Sequence, residues 1–217
     1  MKQNLSVQDL INEAIKFSKI LSINQDPLLF GITDGKAVGT YAEKKFKEFV
    51  SESYICNSGS VARGIDFPDL LIDIKCTSIK QPQSSCPFKS AGQKIFGLGY
   101  SLLVFVYEKF DNHELKTGQL KILHTIFIEK ERTGDFQITS GISDLLKNNA
   151  NTDDLVAFLF DKNLPIDDIL AKDLAEEILK NPPQIGYLTI SNALQWRLQY
   201  SRVIEQAGKV DGVVRVN

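Results

Sequence analysis

The chain has few of the residues that build disulfide frameworks, zinc sites or membrane spans. Three cysteines and two histidines are scattered over 217 residues without C-x-x-C spacing, which argues against a disulfide framework and a structural zinc site. No apolar run reaches the roughly 18 residues that a membrane helix needs, and the N-terminus lacks the apolar core of a signal peptide. We therefore expect a cytoplasmic protein without a membrane segment.

An excess of positive charge is also absent, because the formal net charge is −2. A passive, histone-like nucleic-acid binder would need many lysines and arginines for phosphate contacts. The balance of charge still allows an enzyme that concentrates its positive charge in one cleft. The length and the 43% of hydrophobic residues suit one domain with a sizeable buried core.

The spacing of apolar residues predicts a mixed α/β protein. Two helices are predicted first, at 6–22 and 36–51. Strands are then predicted in the segments 69–75, 101–107 and 120–128. We also predict a long loop over residues 76–94. Four later helices are predicted at about 142–148, 153–161, 166–180 and 190–206.

This order of elements predicts a mixed β-sheet flanked by helices, with a helix-rich C-terminal part. We expect a single domain over residues 1–217. Within it, residues 1–130 would form the core and residues 131–217 a helical extension.

The segment Asp69–Lys75, DLLIDIK, is the most informative stretch of the chain. A buried strand normally excludes charge, since an unpaired ion in a core costs several kcal/mol. Alternation along a strand places Asp73 and Lys75 on one face and Ile72 and Ile74 on the other. That face would suit a cleft in which a carboxylate binds Mg²⁺ and the lysine orients a water molecule for phosphodiester hydrolysis.

The three-residue pattern acid-x-Lys has low specificity. It occurs four times, at Asp34–Lys36, Glu43–Lys45, Asp73–Lys75 and Glu114–Lys116. Only the copy at Asp73 lies within an apolar strand and has further acids just upstream. The same pair could instead be an ion pair on an edge strand that discourages aggregation, and the residues alone leave both interpretations open.

Two acids compete as the partner of Asp73. Asp69 is four residues away on what should be the same strand, which corresponds to roughly 13 Å between α-carbons. Two carboxylates so far apart on a straight strand cannot share an ion. Asp66 precedes Pro68, where the chain can turn back, so we prefer Asp66 and expect Asp69 at a turn or strand end.

The segment Asp66–Lys75, DFPDLLIDIK, resembles the active-site strand of the MutH-type branch of the PD-(D/E)xK nuclease superfamily. That branch contains the mismatch-repair nicking endonuclease MutH and related type II restriction endonucleases. Its strand has Asp-Phe, then Leu, then an acid, an aliphatic residue and Lys, and Asp66 and Asp73 match the spacing of its two acids. The segment Lys36–Glu43, KAVGTYAE, is similar to the branch's helix pattern Lys-x-x-Gly-x-x-x-Glu.

The resemblance implies a restriction-endonuclease-like fold and Mg²⁺-dependent hydrolysis of double-stranded DNA. It implies Asp66 and Asp73, together with Ile74, as the metal-binding positions. Lys75 would be catalytic and Glu43 would assist. The match is good over roughly the first 80 residues and poor beyond them, so the recognition sequence cannot be inferred.

Other lysines could contact DNA. Lys80, Lys89 and Lys94 lie in or near the predicted loop and could bind phosphates. Lys47 and its neighbours on the second helix have the pattern of a solvated helix face.

We therefore predict a type II restriction endonuclease. Residues 1–130 would be its catalytic core, and the helical extension over residues 131–217 would contribute to DNA recognition. A MutH-like repair nickase and a non-catalytic DNA-binding module of the same fold are the alternatives. The expected partners are double-stranded DNA and a cognate DNA methyltransferase of the same system. The chain could act as a homodimer or as a monomer.

Overall fold

A computed structural model of the protein describes residues 2–56, 64–87, 89–192 and 196–217. The chain forms two compact units. The first comprises Met1–Ser84, Ser101–Ile128 and Gln206–Asn217, and the second comprises Ser85–Tyr100 and Glu129–Glu205. The boundary predicted at residue 130 stays a prediction. Within the described ranges, no helix is both long and apolar enough to cross a bilayer.

The strands and helices of the described residues follow one another along the chain. In order they are β1 (Gln3–Asn4), α1 (Val7–Ile23), β2 (Gln25–Asp26), α2 (Gly35–Ser53), β3 (Tyr54–Ile55), β4 (Ile72–Ser78), β5 (Gln83–Cys86), α3 (Gln93–Phe96), β6 (Ser101–Asn112), β7 (Thr117–Ile128), α4 (Phe136–Lys147), α5 (Thr152–Asp161), α6 (Asp168–Lys180), β8 (Thr189–Ile190), β9 (Trp196–Gln199), α7 (Ser201–Gln206) and β10 (Val213–Arg215).

The two predicted N-terminal helices are confirmed, and each begins at a polar cap. The Ser6 hydroxyl accepts a hydrogen bond from the Asp9 N–H at 3.2 Å, and the Asp9 carboxylate accepts one from the Ser6 N–H at 3.1 Å. This reciprocal pair satisfies two N–H groups at the start of α1. Asp34 caps α2 by accepting from the Lys36 N–H at 3.1 Å.

The main sheet lies in the first unit and has the order β10–β7–β6–β4, with β2 also paired to β7. Strands β4 and β6 are parallel, whereas β6 and β7 are antiparallel. The predicted mixed α/β class is thus confirmed, and the arrangement is consistent with a restriction-endonuclease-like fold. Helices α1 and α2 cover one face of the sheet, where Phe17, Phe46 and Phe105 pack with ring centroids 5.1–5.7 Å apart.

The second unit has its own hydrophobic core. Helices α4, α5 and α6 enclose fully buried side chains that include Ile142, Leu155 and Ile178. The helices predicted from residues 142, 153 and 166 are confirmed, although α4 begins earlier, at Phe136.

The helix predicted over 190–206 is wrong over most of its length. Strand β8 ends at Ile190, strand β9 occupies Trp196–Gln199, and only Ser201–Gln206 is helical. Residues 193–195 of this prediction lie outside the described part of the chain. Every second side chain along β9 is buried. A burial period of two residues is typical of a strand and not of a helix, which explains why the helix prediction fails here.

The long loop predicted over 76–94 is wrong in part. Strand β4 continues to Ser78, β5 follows, and α3 begins at Gln93; residue 88 is not described. The Thr77 hydroxyl joins the end of β4 to the start of β5, because it accepts from the Gln83 N–H at 2.9 Å and donates to the Gln83 carbonyl at 3.0 Å. Polar residues in this segment therefore bond to the backbone of neighbouring residues instead of marking a loop.

Candidate active site

The candidate site lies along the free edge of β4, which ends the main sheet among the described strands. Alternate residues of β4 direct their backbone groups to this edge. The N–H groups of Ile72, Ile74 and Cys76 donate there to the Phe67 carbonyl, the Asp66 carboxylate and the Glu43 carboxylate, respectively. Because the N–H and C=O of one strand residue point the same way, the carbonyl of Ile74 also faces this edge.

A tight turn brings Asp66 to the strand. Phe67 and Ile72 form an antiparallel bridge, with N–H to carbonyl distances of 2.9 and 3.2 Å. Leu71 closes the turn with a φ of 52°, which lies in the left-handed region that few residues adopt. Asp66 therefore folds back onto β4 and accepts from the Ile74 N–H at 2.9 Å. Asp69 lies within the turn and is exposed, which agrees with its expected place.

Gly39 allows α2 to approach this edge closely. A methyl group added at Gly39 would lie 3.2 Å from the Cys76 carbonyl oxygen, which is tighter than an ordinary van der Waals contact. Glu43, one turn later on the same face of α2, accepts from the Cys76 N–H. Helix α2 therefore supplies a third carboxylate next to Asp66.

The carboxyl groups of Asp66 and Asp73 lie next to each other, close enough for each to affect the pKa of the other. Burial, and to a smaller extent the neighbouring Asp66, raise the pKa of Asp73 to about 7 against the opposing effect of Lys75. Burial also acts to raise the pKa of Asp66, but interactions with Lys47, Asp73 and the Ile74 N–H outweigh it, so this pKa lies below its usual value. Further positive charge near the pair would therefore favour its full ionisation.

Lys75 points to the same face of β4 as Asp73, and its Nζ lies 2.7 Å from the Asp73 Oδ2. Burial acts to lower the pKa of Lys75, but the carboxylates of Asp73, Glu43 and Asp66 more than compensate, so this pKa lies above its usual value. The lysine is therefore protonated at neutral pH. Burial is also the main cause of the raised pKa of Glu43.

Sequence reasoning missed one member of this cluster, Lys47. The helix face to which it belongs was expected to be solvated, yet Lys47 forms an ion pair with Asp66 Oδ1, and its side chain is only 33% exposed. Lys47 follows Glu43 by four residues, so the two share a helix face. That spacing is the signal that could have identified it.

Comparisons with known proteins match this chain almost from end to end. The family model described as "Type II restriction enzyme NspV" matches residues 4–215.

The chain belongs to the NspV family of type II restriction enzymes.

A curated relative, the type II restriction enzyme NspV of Nostoc sp. (strain ATCC 29411 / PCC 7524), is 61% identical over 212 residues. The aligned region covers 98% of this chain and 96% of the relative. No solved structure matches the chain. Type II restriction enzymes are site-specific endonucleases, so membership of the NspV family confirms the predicted function class over the repair nickase and the non-catalytic module.

Restriction enzymes of type II generally use a divalent metal ion, and the cluster in this NspV-family member fits such an ion. Among the described residues, no three His, Cys, Asp or Glu side chains form a metal cluster by themselves. However, Mg²⁺ is often bound by one or two carboxylates, with water and phosphate oxygens completing the shell. Asp66, Asp73 and the carbonyl of Ile74 offer three hard oxygen donors along the β4 edge.

The three lysines predicted to contact DNA lie in different surroundings. Lys80 is exposed on the turn after β4, in the first unit, and Lys89 is exposed in the second unit. Lys94 is only 1% exposed. Its Nζ donates to the Ile190 carbonyl at 2.9 Å and also to Asn192. The ammonium group of Lys94 is thus engaged within the second unit, and this position does not favour a role in phosphate binding.

Proposed function

We propose that this restriction enzyme cuts both strands of DNA at one specific sequence by Mg²⁺-dependent hydrolysis, with the chemistry of the PD-(D/E)xK nucleases. The observation that carries the proposal is the close approach of the partly buried Asp66 carboxyl group to the buried one of Asp73, with the Lys75 ammonium group 2.7 Å from Asp73. Two adjacent carboxylates with a lysine on the same strand face match the requirements of phosphodiester hydrolysis.

Asp66, Asp73 and the carbonyl of Ile74 would bind the ion. When bound, Mg²⁺ would activate a water molecule and neutralise charge on the scissile phosphate. Lys75 is protonated, so it can orient the attacking water and stabilise the charge that develops on the phosphate oxygens. Glu43 would accept a hydrogen bond from water at this edge of the strand, and its bond to the Cys76 N–H would fix its orientation.

Cleavage of a plasmid with many sites tests this proposal. Purified wild-type protein with Mg²⁺ should give discrete fragments from unmethylated DNA, and EDTA should prevent them. Asp66→Asn and Asp73→Asn should lose cleavage, whereas Asp69→Asn, which changes an exposed acid of the same turn, should retain it. Normal cleavage by Asp66→Asn would contradict the proposed metal site.

The partners of the enzyme follow from this activity. One catalytic cluster per chain would cut one strand, so a homodimer with two-fold symmetry would provide one cluster for each strand of a palindromic site. A cognate methyltransferase would protect the cell's own DNA from the enzyme in the cytoplasm. Light scattering of the purified protein tests whether it is a dimer. Resistance of methylated DNA to cleavage tests whether a methyltransferase can protect the cell's DNA.

A further inference from the structure

Lys47 places a positive charge on the carboxylate that is proposed to bind the metal. Its ammonium group is paired with Asp66 Oδ1, while the other oxygen of Asp66 accepts from the Ile74 N–H. The Asp66 side chain is only 17% exposed, so this interaction is weakly screened by solvent. An incoming cation at Asp66 would therefore meet a like charge already bonded to the same group.

The charges of the cluster are almost balanced before any metal binds. Three carboxylates, those of Glu43, Asp66 and Asp73, face two ammonium groups, those of Lys47 and Lys75. A divalent ion would convert the small negative excess of the ionised cluster into a positive one. A DNA phosphate would restore the balance, which makes metal binding more favourable in the DNA complex than in the free protein.

Lys47 also has space in which to move. A cavity lined by Lys47, Glu48, Ser51, Cys56 and Phe67 lies beside its side chain. Glu48 offers a second carboxylate in that lining, and it already lies 3.9 Å from Lys44 and from Lys45. The ammonium group can thus withdraw from Asp66 without disturbing the packed core.

We propose that Lys47 lowers the affinity of the DNA-free enzyme for divalent metal, so that the ion binds mainly together with DNA. Lys47 is then a positioning residue that acts through Asp66. The inference rests on the proposed function, because it assigns Asp66 to the metal site. The inference predicts that removal of Lys47 strengthens metal binding. If Lys47 had a purely structural role, its removal would instead loosen Asp66 and weaken metal binding.

Calorimetric titration of the metal-free protein with Mn²⁺, in the absence of DNA, tests the inference. Lys47→Met removes the charge and keeps the length, Lys47→Gln is a second neutral variant, and Lys47→Arg keeps the charge. Lys44→Met is the matched control, because Lys44 lies on the same helix with a side chain that is 76% exposed. Thermal unfolding verifies that each variant is folded.

Both neutral variants should bind Mn²⁺ at least about tenfold more tightly than wild type, given the repulsion between like charges near one carboxylate. Lys47→Arg and Lys44→Met should bind Mn²⁺ like wild type. For the two neutral variants, the Mg²⁺ concentration that gives half-maximal DNA cleavage should change by a smaller factor than the Kd for Mn²⁺ in the absence of DNA. Unchanged or weaker Mn²⁺ binding by the neutral variants would overturn the inference even if the wild type cuts DNA, whereas failure of the proposed function would appear as absence of cleavage by the wild type.

Discussion

Replacing Asp73 with asparagine should stabilise the metal-free protein at alkaline pH while it abolishes cleavage. Asp73 is 3% exposed and lies against Asp66, and burial raises its pKa from 3.8 to about 7. Above that value the folded protein must keep a buried, repelled carboxylate that the unfolded chain would expose to water. Asparagine has nearly the same shape, and its amide oxygen can still accept from Lys75.

The magnitude follows from proton linkage. Between the two pKa values the folded protein binds more protons than the unfolded chain, so its stability falls as the pH rises through that window and is constant above it. The complete displacement of the Asp73 pKa corresponds to about 4 kcal/mol. About 2–3 kcal/mol of that loss should occur between about pH 5 and about pH 8.

Urea unfolding in EDTA measures this effect. The free energy of unfolding of Asp73→Asn, minus that of wild type, should increase by about 2–3 kcal/mol from about pH 5 to about pH 8. Asp69→Asn serves as the control, since it removes an exposed acid of the neighbouring turn. A difference between Asp73→Asn and wild type that is the same at both pH values would refute the argument that burial destabilises the ionised Asp73.

Three further substitutions test other parts of the structure. Lys75→Met should reduce the single-turnover cleavage rate at saturating Mg²⁺ by about a hundredfold or more, since it removes the cation that stabilises the developing charge; a rate within threefold of wild type would exclude that role. Gly39→Ala should slow cleavage, because the added methyl group would lie 3.2 Å from the Cys76 carbonyl oxygen and would push α2 away from β4; a cleavage rate equal to that of wild type would contradict this close approach. Ser6→Ala should lower the free energy of unfolding, measured in urea, by about 1 kcal/mol through loss of the α1 cap. Its cleavage rate should stay unchanged, because the cap is remote from the candidate site.

The contact between Asp66 and β4 could be predicted because it depends on local geometry. Asp66 precedes Pro68, where the chain can turn, and such a turn returns the carboxylate towards the strand that follows. The strand face shared by Asp73 and Lys75 follows from alternation alone. Both inferences need a few consecutive residues and no knowledge of the rest of the fold.

The role of Lys47 could not be predicted in the same way. Several lysines are distributed around α2, and the sequence does not show which of them faces the edge of β4. The spacing of four residues from Glu43 singles out Lys47 only once the packing of α2 on the sheet, through Gly39 and Cys76, shows that Glu43 faces β4. The error over residues 190–206 has a similar cause, because β8 and β9 pair with each other and the benefit of that pairing is not visible in apolar spacing.

The hydrogen bonds along the free edge of β4 also govern how the protein behaves when it is concentrated. An unpaired strand edge is a template on which a second molecule can add a strand and begin aggregation. In this protein Asp66 and Glu43 already occupy the N–H groups of Ile74 and Cys76. Inactive variants are therefore not interchangeable as reagents: Asp66→Asn keeps an acceptor for the Ile74 N–H, whereas Asp66→Ala leaves that donor open to a neighbouring molecule and favours self-association.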